Sequence, residues 1–98
     1  MRVFISQPLA NRDLREILNE RERITAVLPT GAEIIDNIGT FEECESPLKG
    51  LGMALMQMAD ADMVVFAENW HFNRGCKIEH EAAYRYGITV RYASDLLS

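Results

Sequence analysis

A glutamate on the apolar side of a predicted helix is the residue of this sequence best placed to do chemistry. At about 100° per residue, Glu79 falls near the middle of the apolar arc of a helix predicted over residues 75–86, among Cys76, Ile78, Ala82, Ala83 and Tyr86. A buried, unpaired carboxylate is costly, so such a residue has a partner or lines a cavity. The nearby helix start favours the ionised form, which suits attack on an anomeric carbon. The alternative is a structural glutamate that accepts hydrogen bonds from the loop.

Two loops beside predicted strands carry candidate binding groups. The loop at residues 68–74 places two aromatic side chains among polar ones, so Trp70 either stacks on a base or sugar or covers the sheet edge. Ser6, Gln7 and Pro8 lead from a strand toward a helix N-terminus, which offers N–H groups and a hydroxyl to a phosphate or ribose. Without a GxGxxG or Walker A pattern, a standard dinucleotide or nucleoside triphosphate site is not supported.

Three other charged or titratable residues are expected to lie at the surface and to take no part in chemistry. Arg21 lies inside the apolar stripe of the first predicted helix, and we expect its charged end to reach solvent, with a buried carboxylate as the alternative partner. His80 and Glu81 fall on the opposite side of their helix from Glu79, so we expect both at the surface.

Strands and helices alternate along the chain in the order βαβαβαβ. The first helix is capped by Asn11 or Asp13 and ends near Leu28, the second starts at Ser46 and Pro47, and Gly87 caps the third. Strands are predicted at Arg2–Ser6, 32–36, 62–67 and 88–92, an acidic loop at 37–45, and a turn of helix in the tail at 93–98.

This alternation predicts an α/β fold, a flavodoxin- or Rossmann-like three-layer sandwich with a four-stranded parallel sheet. In such sheets ligands bind beyond the carboxyl ends of the strands, near the switch point. The loops expected at that end are residues 7–12 and 68–74.

Composition narrows the class of protein. The 98 residues predict one domain over 1–98, and a net charge of −5 without a basic run argues against a nucleic-acid polymer as partner. No apolar stretch approaches the ~20 residues that span a membrane, and the N-terminus predicts a strand rather than a signal peptide. Cys44 and Cys76 form no CxxC pair, which favours a reduced, cytoplasmic protein. No spacing indicates a metal, and we expect no cofactor.

The run RGCKIEHEAA at residues 74–83, followed by YGITV at 86–90, resembles the nucleoside 2-deoxyribosyltransferase-like superfamily. Within it, the FISQP start, the strand DMVVF at 62–66 and Trp70 are similar to small bacterial and phage proteins of the DUF4406 type. In the transferases a glycine precedes the nucleophilic glutamate by four residues, and a second glycine follows eight residues later. Gly75, Glu79 and Gly87 keep both spacings.

The resemblance implies a double displacement in which Glu79 attacks C1′ of a nucleoside and releases the base. The transferases place a proton-donating aspartate where this chain has Asn73, and Glu68 or His71 would have to replace it. The longer members also have a fifth strand and C-terminal residues that complete a neighbour's pocket. The absence of these features from this sequence favours hydrolysis, or binding without turnover, over transfer to a second base.

The expected function is therefore cleavage or transfer at the N-glycosidic bond of a (deoxy)nucleoside or nucleoside 5′-monophosphate. Glu79 is the predicted nucleophile. The predicted substrate-binding residues are Ser6, Gln7, Pro8, Glu68, Asn69, Trp70, Asn73, Arg74 and Gly75. The alternatives are a non-catalytic nucleotide-binding or sensing module and a purely structural or interaction protein.

The resemblance also implies a homodimer. An apolar face of the second helix is predicted from Leu48, Leu51, Gly52, Leu55, Met58 and Ala59, and the dimer contact from Leu51, Leu55, Met56 and Met58.

Overall fold

A four-stranded parallel sheet forms the centre of the computed structural model, which describes residues 1–39 and 44–98. Its strands are β1 (Arg2–Ser6), β2 (Glu33–Ile34), β3 (Met63–Phe66) and β4 (Thr89–Tyr92), in the order β2-β1-β3-β4. The register pairs Ser6 of β1 with Phe66 of β3. The strand order reverses between β1 and β3, so their carboxyl ends form the switch point of the sheet.

Helices cover both faces of the sheet and give three layers. They are α1 (Leu14–Ala26), α2 (Pro47–Met58), α3 (Arg74–Arg85) and α4 (Ala93–Leu96), with a 3-10 turn at Trp70–Phe72. On one face α1 and α4 pack against β1 and β3 through Ile24, Ala93, Val3 and Val65. On the other, Met58 of α2 and Ala83 of α3 pack against Phe4 and Val64. The predicted fold class is confirmed.

Side-chain caps fix where the three long helices begin. Asp13 accepts a hydrogen bond from the Arg15 amide at 2.8 Å, so it is the cap of α1, while Asn11 lies in the left-handed region with φ of 60°. Ser46 accepts from the Lys49 amide at 3.2 Å, as expected for a helix whose first residue is proline. Asn73 caps α3.

Element boundaries differ from the prediction mostly at strand ends. The second strand covers only Glu33–Ile34, at the edge of the sheet beside β1. α1 ends at Ala26, and a turn follows in which the Val27 amide donates to Ile24. The loop after β3 contains the unpredicted turn Trp70–Phe72, and the middle of the acidic loop, residues 40–43, lies outside the described residues.

The predicted apolar face of α2 is wrong at three positions. Leu48 is 76% exposed, and Gly52 and Ala59 are exposed as well, whereas Leu55 and Met58 pack in the core. Met58 is buried in that core and is therefore not available for the predicted dimer contact, whereas Met56 is exposed. The dimer stays a prediction, and light scattering on the purified protein tests it. Across residues 1–39 and 44–98, every helix is too short or too polar to cross a bilayer.

Two glycines predict stability changes of opposite sign. Gly87 ends α3 with φ of +75°, a conformation that strains an L-residue, so we expect Gly87→Ala to lower the free energy of unfolding by about 1 kcal/mol. Gly52 lies inside α2, and a Cβ there meets no atom within 4 Å. Gly52→Ala should therefore raise the free energy of unfolding by up to about 1 kcal/mol. Urea denaturation measures both, and shifts in the same direction would contradict the two backbone conformations.

Candidate functional site

Glu79 lies in the second turn of α3 with its carboxylate turned toward the end of β1. It is 8% exposed, and its Oε1 accepts a 2.7 Å hydrogen bond from Oγ of Ser6, the last residue of β1. The predicted burial of Glu79 is confirmed. The partner comes from a strand 73 residues away, and not from the preceding loop as the structural alternative had it.

Burial raises the pKa of Glu79 to about 7, although the hydrogen bond from Ser6 lowers it. Burial therefore opposes the ionisation expected from the helix start, and Glu79 is only partly ionised at neutral pH. Loss of hydration outweighs the favourable helix dipole and the Ser6 hydroxyl. About half of the Glu79 side chains carry a proton near pH 7.

A cavity of about 180 Å³ opens beside Glu79, between the carboxyl end of β1 and the helices α2 and α3. This volume is below the ~300 Å³ at which sites for whole drug-sized ligands begin, so it suits a group of about one ring. Its apolar wall consists of Leu9, Ala10, Pro47, Gly50, Leu51, Ala54 and Gly75. Its polar lining consists of Gln7, Asn37, Gln57, Asn73, Arg74, Cys76 and Glu79.

Gln7 lines the cavity but is held by α1 through both ends of its amide. Its Nε2 donates to the Ile17 carbonyl at 3.1 Å and to Glu20 at 2.9 Å, and its Oε1 accepts from Arg21 at 2.9 Å. Gln7 therefore shapes the wall of the cavity with groups that are already hydrogen-bonded.

Arg21 is buried, so the expected extension of its charged end to solvent is wrong. Its guanidinium donates to Gln7 and, at 3.2 Å, to the carbonyl of Ile35. Burial lowers the pKa of Arg21, and the charge of Asp36 opposes that shift. The fixed fork of an arginine suits several acceptors at once, which explains why this charge is tolerated inside the fold.

Asn73, Arg74 and Gly75 line the cavity at the start of α3. Oδ1 of Asn73 accepts from the Cys76 amide at 2.9 Å and so completes the first turn of the helix. Burial raises the pKa of the Cys76 thiol to about 12, so Cys76 stays protonated beside Glu79.

Four predicted binding residues line a second, polar depression on the α1 side. They are Pro8, Glu68, Asn69 and Asn73, and the other lining residues are Arg12, Glu16, Glu20, Arg23 and Phe72. Asn73 is common to both hollows, so they lie next to each other. The structure thus places some of the predicted residues in the cavity beside Glu79 and others in the adjacent depression on the far side of Asn73.

Trp70 does not line the cavity. It stacks on His80 with ring centroids 4.2 Å apart and contacts Phe66 at 5.3 Å, and His80 lies 2.7 Å from the Tyr92 hydroxyl. This placement corresponds to the alternative in which Trp70 covers the sheet. The expected surface position of His80 holds only in part, because its ring is half-buried against Trp70 and Tyr92 of β4, whereas Glu81 is exposed as expected.

Sequence reasoning missed Asn37 and Gln57 as cavity residues. Asn37 follows β2 at the carboxyl edge of the sheet, a position that could have identified it, whereas nothing in the spacing of α2 singles out Gln57. Within the described ranges, 1–39 and 44–98, no group of three or more histidine, cysteine, aspartate or glutamate side chains is arranged to hold a metal ion.

Comparisons of the chain with protein-family models, with curated proteins and with solved structures found no match.

Proposed function

We propose that this protein cleaves or transfers at the N-glycosidic bond of a nucleoside or nucleoside 5′-monophosphate, with Glu79 as the nucleophile. The observation that carries the proposal is a buried carboxylate that lines a ring-sized cavity at the switch point of the sheet. Costly burial without a paired cation is typical of groups retained for chemistry. The spacing of Gly75, Glu79 and Gly87, shared with the deoxyribosyltransferases, supports the same residue.

The two oxygens of Glu79 have different surroundings. Oε1 is held by Ser6, whereas Oε2 has no hydrogen-bond donor among residues 1–39 and 44–98. In the proposed first step, Oε2 attacks C1′, the C1′–N bond breaks, and its electron pair leaves with the base, which takes a proton from water. Water then attacks C1′ of the glycosyl ester, its proton passes to solvent, and the Glu79 carboxylate is released.

Ser6 acts in this proposal as a positioning residue. Its hydroxyl fixes the rotamer of Glu79 and stabilises the carboxylate when the glycosyl ester is hydrolysed. The apolar wall of the cavity keeps the nucleophile poorly hydrated, which increases its reactivity once it is ionised.

A nucleotide-binding module without turnover is the second candidate function. Glycosidases pair two carboxylates, and Glu79 is the only aspartate or glutamate among the described residues that line the cavity. Asn73 cannot supply the proton that the leaving base needs. This observation favours either substrates whose base leaves without a proton from a protein side chain, or binding without cleavage.

Base release from a panel of nucleosides, deoxynucleosides and their 5′-monophosphates tests the proposal. We expect at least one of them to lose its base, with kcat/KM rising about tenfold per pH unit below pH 7 and levelling above it, because Glu79 must be ionised to attack. Intact-mass spectrometry should detect a glycosyl adduct on the protein.

Glu79→Gln should abolish base release, whereas Glu81→Gln on the exposed side of the same helix should leave it unchanged. Turnover that survives Glu79→Gln would refute the nucleophile. A ligand that binds tightly and stays intact on long incubation would establish the binding module instead.

A further inference from the structure

Arg74 and Glu79 are the two charged side chains that line the cavity within residues 1–39 and 44–98. Arg74 is exposed at the first residue of α3, and its guanidinium has no ion pair in that part of the chain. Glu79 is buried further along the same helix. The cavity therefore has a carboxyl group in its wall and an unpaired positive charge on its exposed side.

Most of the remaining wall offers little hydrogen bonding to a ligand. Asn37 Oδ1 is fully enclosed, and its Nδ2 donates to the Ile5 carbonyl at 3.3 Å. Both ends of the Gln7 amide are engaged by α1. Seven apolar residues and glycines form the rest of the lining of this cavity of about 180 Å³. Such walls suit the base of the substrate, a flat ring with apolar faces and polar atoms at its edge.

Cleavage at this site has to proceed without an acid that protonates the base. Glu79 is the only carboxyl group among the described lining residues, and it is used as the nucleophile. Asn73 has no acidic proton, and burial raises the pKa of the Cys76 thiol to about 12. The electron pair of the broken C1′–N bond then stays on the base as a negative charge, which a cation beside the base stabilises.

We infer that Arg74 binds and stabilises the departing base as an anion, so that the site selects uracil- and thymine-type nucleosides or nucleotides over purine ones. The inference rests on the proposed function, because it places C1′ at Glu79.

The chemistry of the two classes of base gives the selectivity. In uracil and thymine the C2 carbonyl is bonded to N1, the atom that carries C1′, and the charge left on N1 spreads onto the carbonyl oxygen. Arg74 donates a hydrogen bond to that oxygen, and the base takes its proton from water after it has left. A purine has no carbonyl beside N9 and leaves readily only when an acid protonates its ring.

Base release from 2′-deoxyuridine, thymidine, 2′-deoxyadenosine and 2′-deoxyguanosine, from the ribose counterparts and from their 5′-monophosphates tests the selectivity. At matched sugar and phosphate, we expect kcat/KM for the uracil or thymine member to exceed that for the purine member by at least about tenfold. Equal values or a preference for purines would overturn the inference and leave the proposed function standing.

Arg74→Met should lower kcat/KM for the uracil nucleoside by about tenfold or more. Lys77→Met is the matched control and should leave it unchanged, since Lys77 is an exposed cation of the same helix that does not line the cavity. Fluorine at C5 stabilises the uracil anion, so the loss in Arg74→Met should be smaller for the 5-fluorouracil nucleoside. An equal loss for both substrates would mean that Arg74 does not act on the leaving base.

Binding of free bases separates the base site from the reaction. The Glu79→Gln protein, whose neutral side chain resembles the glycosyl ester, is titrated by calorimetry with uracil and with 5-nitrouracil, a single-ring base that is anionic at neutral pH. We expect 5-nitrouracil to bind about tenfold more tightly, and Arg74→Met in the same background to abolish the difference. A difference that depends on Arg74, without base release from any nucleoside, would defeat the proposed reaction and retain Arg74 as the site of the anionic base. Absence of binding, or of a preference for the anion, would overturn the inference.

Discussion

Glu79→Gln is expected to stabilise the protein at pH 8 by about 3 kcal/mol and to abolish the proposed base release. Burial raises the pKa of Glu79 from 4.5 to about 7, so the folded state disfavours the ionised carboxylate. A glutamine has the same shape, carries no charge, and still accepts the hydrogen bond from the Ser6 hydroxyl. The variant therefore removes the cost of a buried charge and keeps the packing.

The sign of the pH dependence follows from the direction of this shift. Below pH 4.5 both the folded and the unfolded chain carry a protonated Glu79, and the parent protein and the variant should be equally stable. Between about pH 4.5 and 7 the unfolded chain ionises first, so the parent loses stability relative to the variant as pH rises. Above pH 7 the difference is constant.

Urea denaturation at pH 5, 6, 7 and 8 measures this difference, which at pH 8 should correspond to roughly 12–24 °C in melting temperature. Glu81→Gln is the matched control, since Glu81 is exposed on the same helix and its ion pair with Arg85 contributes little. A Glu79→Gln protein that is less stable than the parent at pH 8, or a difference independent of pH, would show that the carboxylate is stabilised in the fold.

Arg21→Met is expected to lower the free energy of unfolding by about 3 kcal/mol. The substitution keeps the length of the aliphatic stem and removes the guanidinium. Gln7 Oε1 and the Ile35 carbonyl then lose their donor in a buried environment. Each acceptor left unpaired costs about 1–3 kcal/mol, and relief of the buried charge offsets part of this sum.

The matched control is Arg23→Met, an exposed arginine two positions along the same helix, which should change stability by less than about 0.5 kcal/mol. Arg21→Lys is informative as well, because an ammonium group does not present the planar fork that reaches both acceptors, so part of the loss should remain. A neutral Arg21→Met in urea denaturation would mean that water satisfies Gln7 and Ile35 when the guanidinium is absent.

The two variants compare two buried charged residues near the cavity, Arg21 and Glu79. Arg21 is buried with acceptors that satisfy it, whereas Glu79 is buried with one hydroxyl and no paired cation among the described residues. A structural role would favour the first arrangement. The second is retained at a cost in stability, which is expected of a group that acts on a ligand.

Local sequence patterns determined the fold. The alternation of short apolar strands with amphipathic helices was enough to predict a parallel sheet, since a helix between two strands provides the crossover that parallel neighbours need. Caps and breakers such as Ser46 and Gly87 act within one turn of their own position, so their effect could be predicted as well. The burial of Glu79 followed from helical periodicity.

Only the tertiary structure decided which polar groups meet. Ser6 contacts Glu79 and Arg21 contacts Gln7 across elements far apart in sequence, and no local pattern specifies such pairs. Local patterns also could not show that Trp70 packs on His80 and does not line the cavity. Nor could they show that Asn37 lines the cavity. The protonation of Glu79 near pH 7 also depends on the packing around it, because desolvation is a property of the folded surroundings and not of the helix alone.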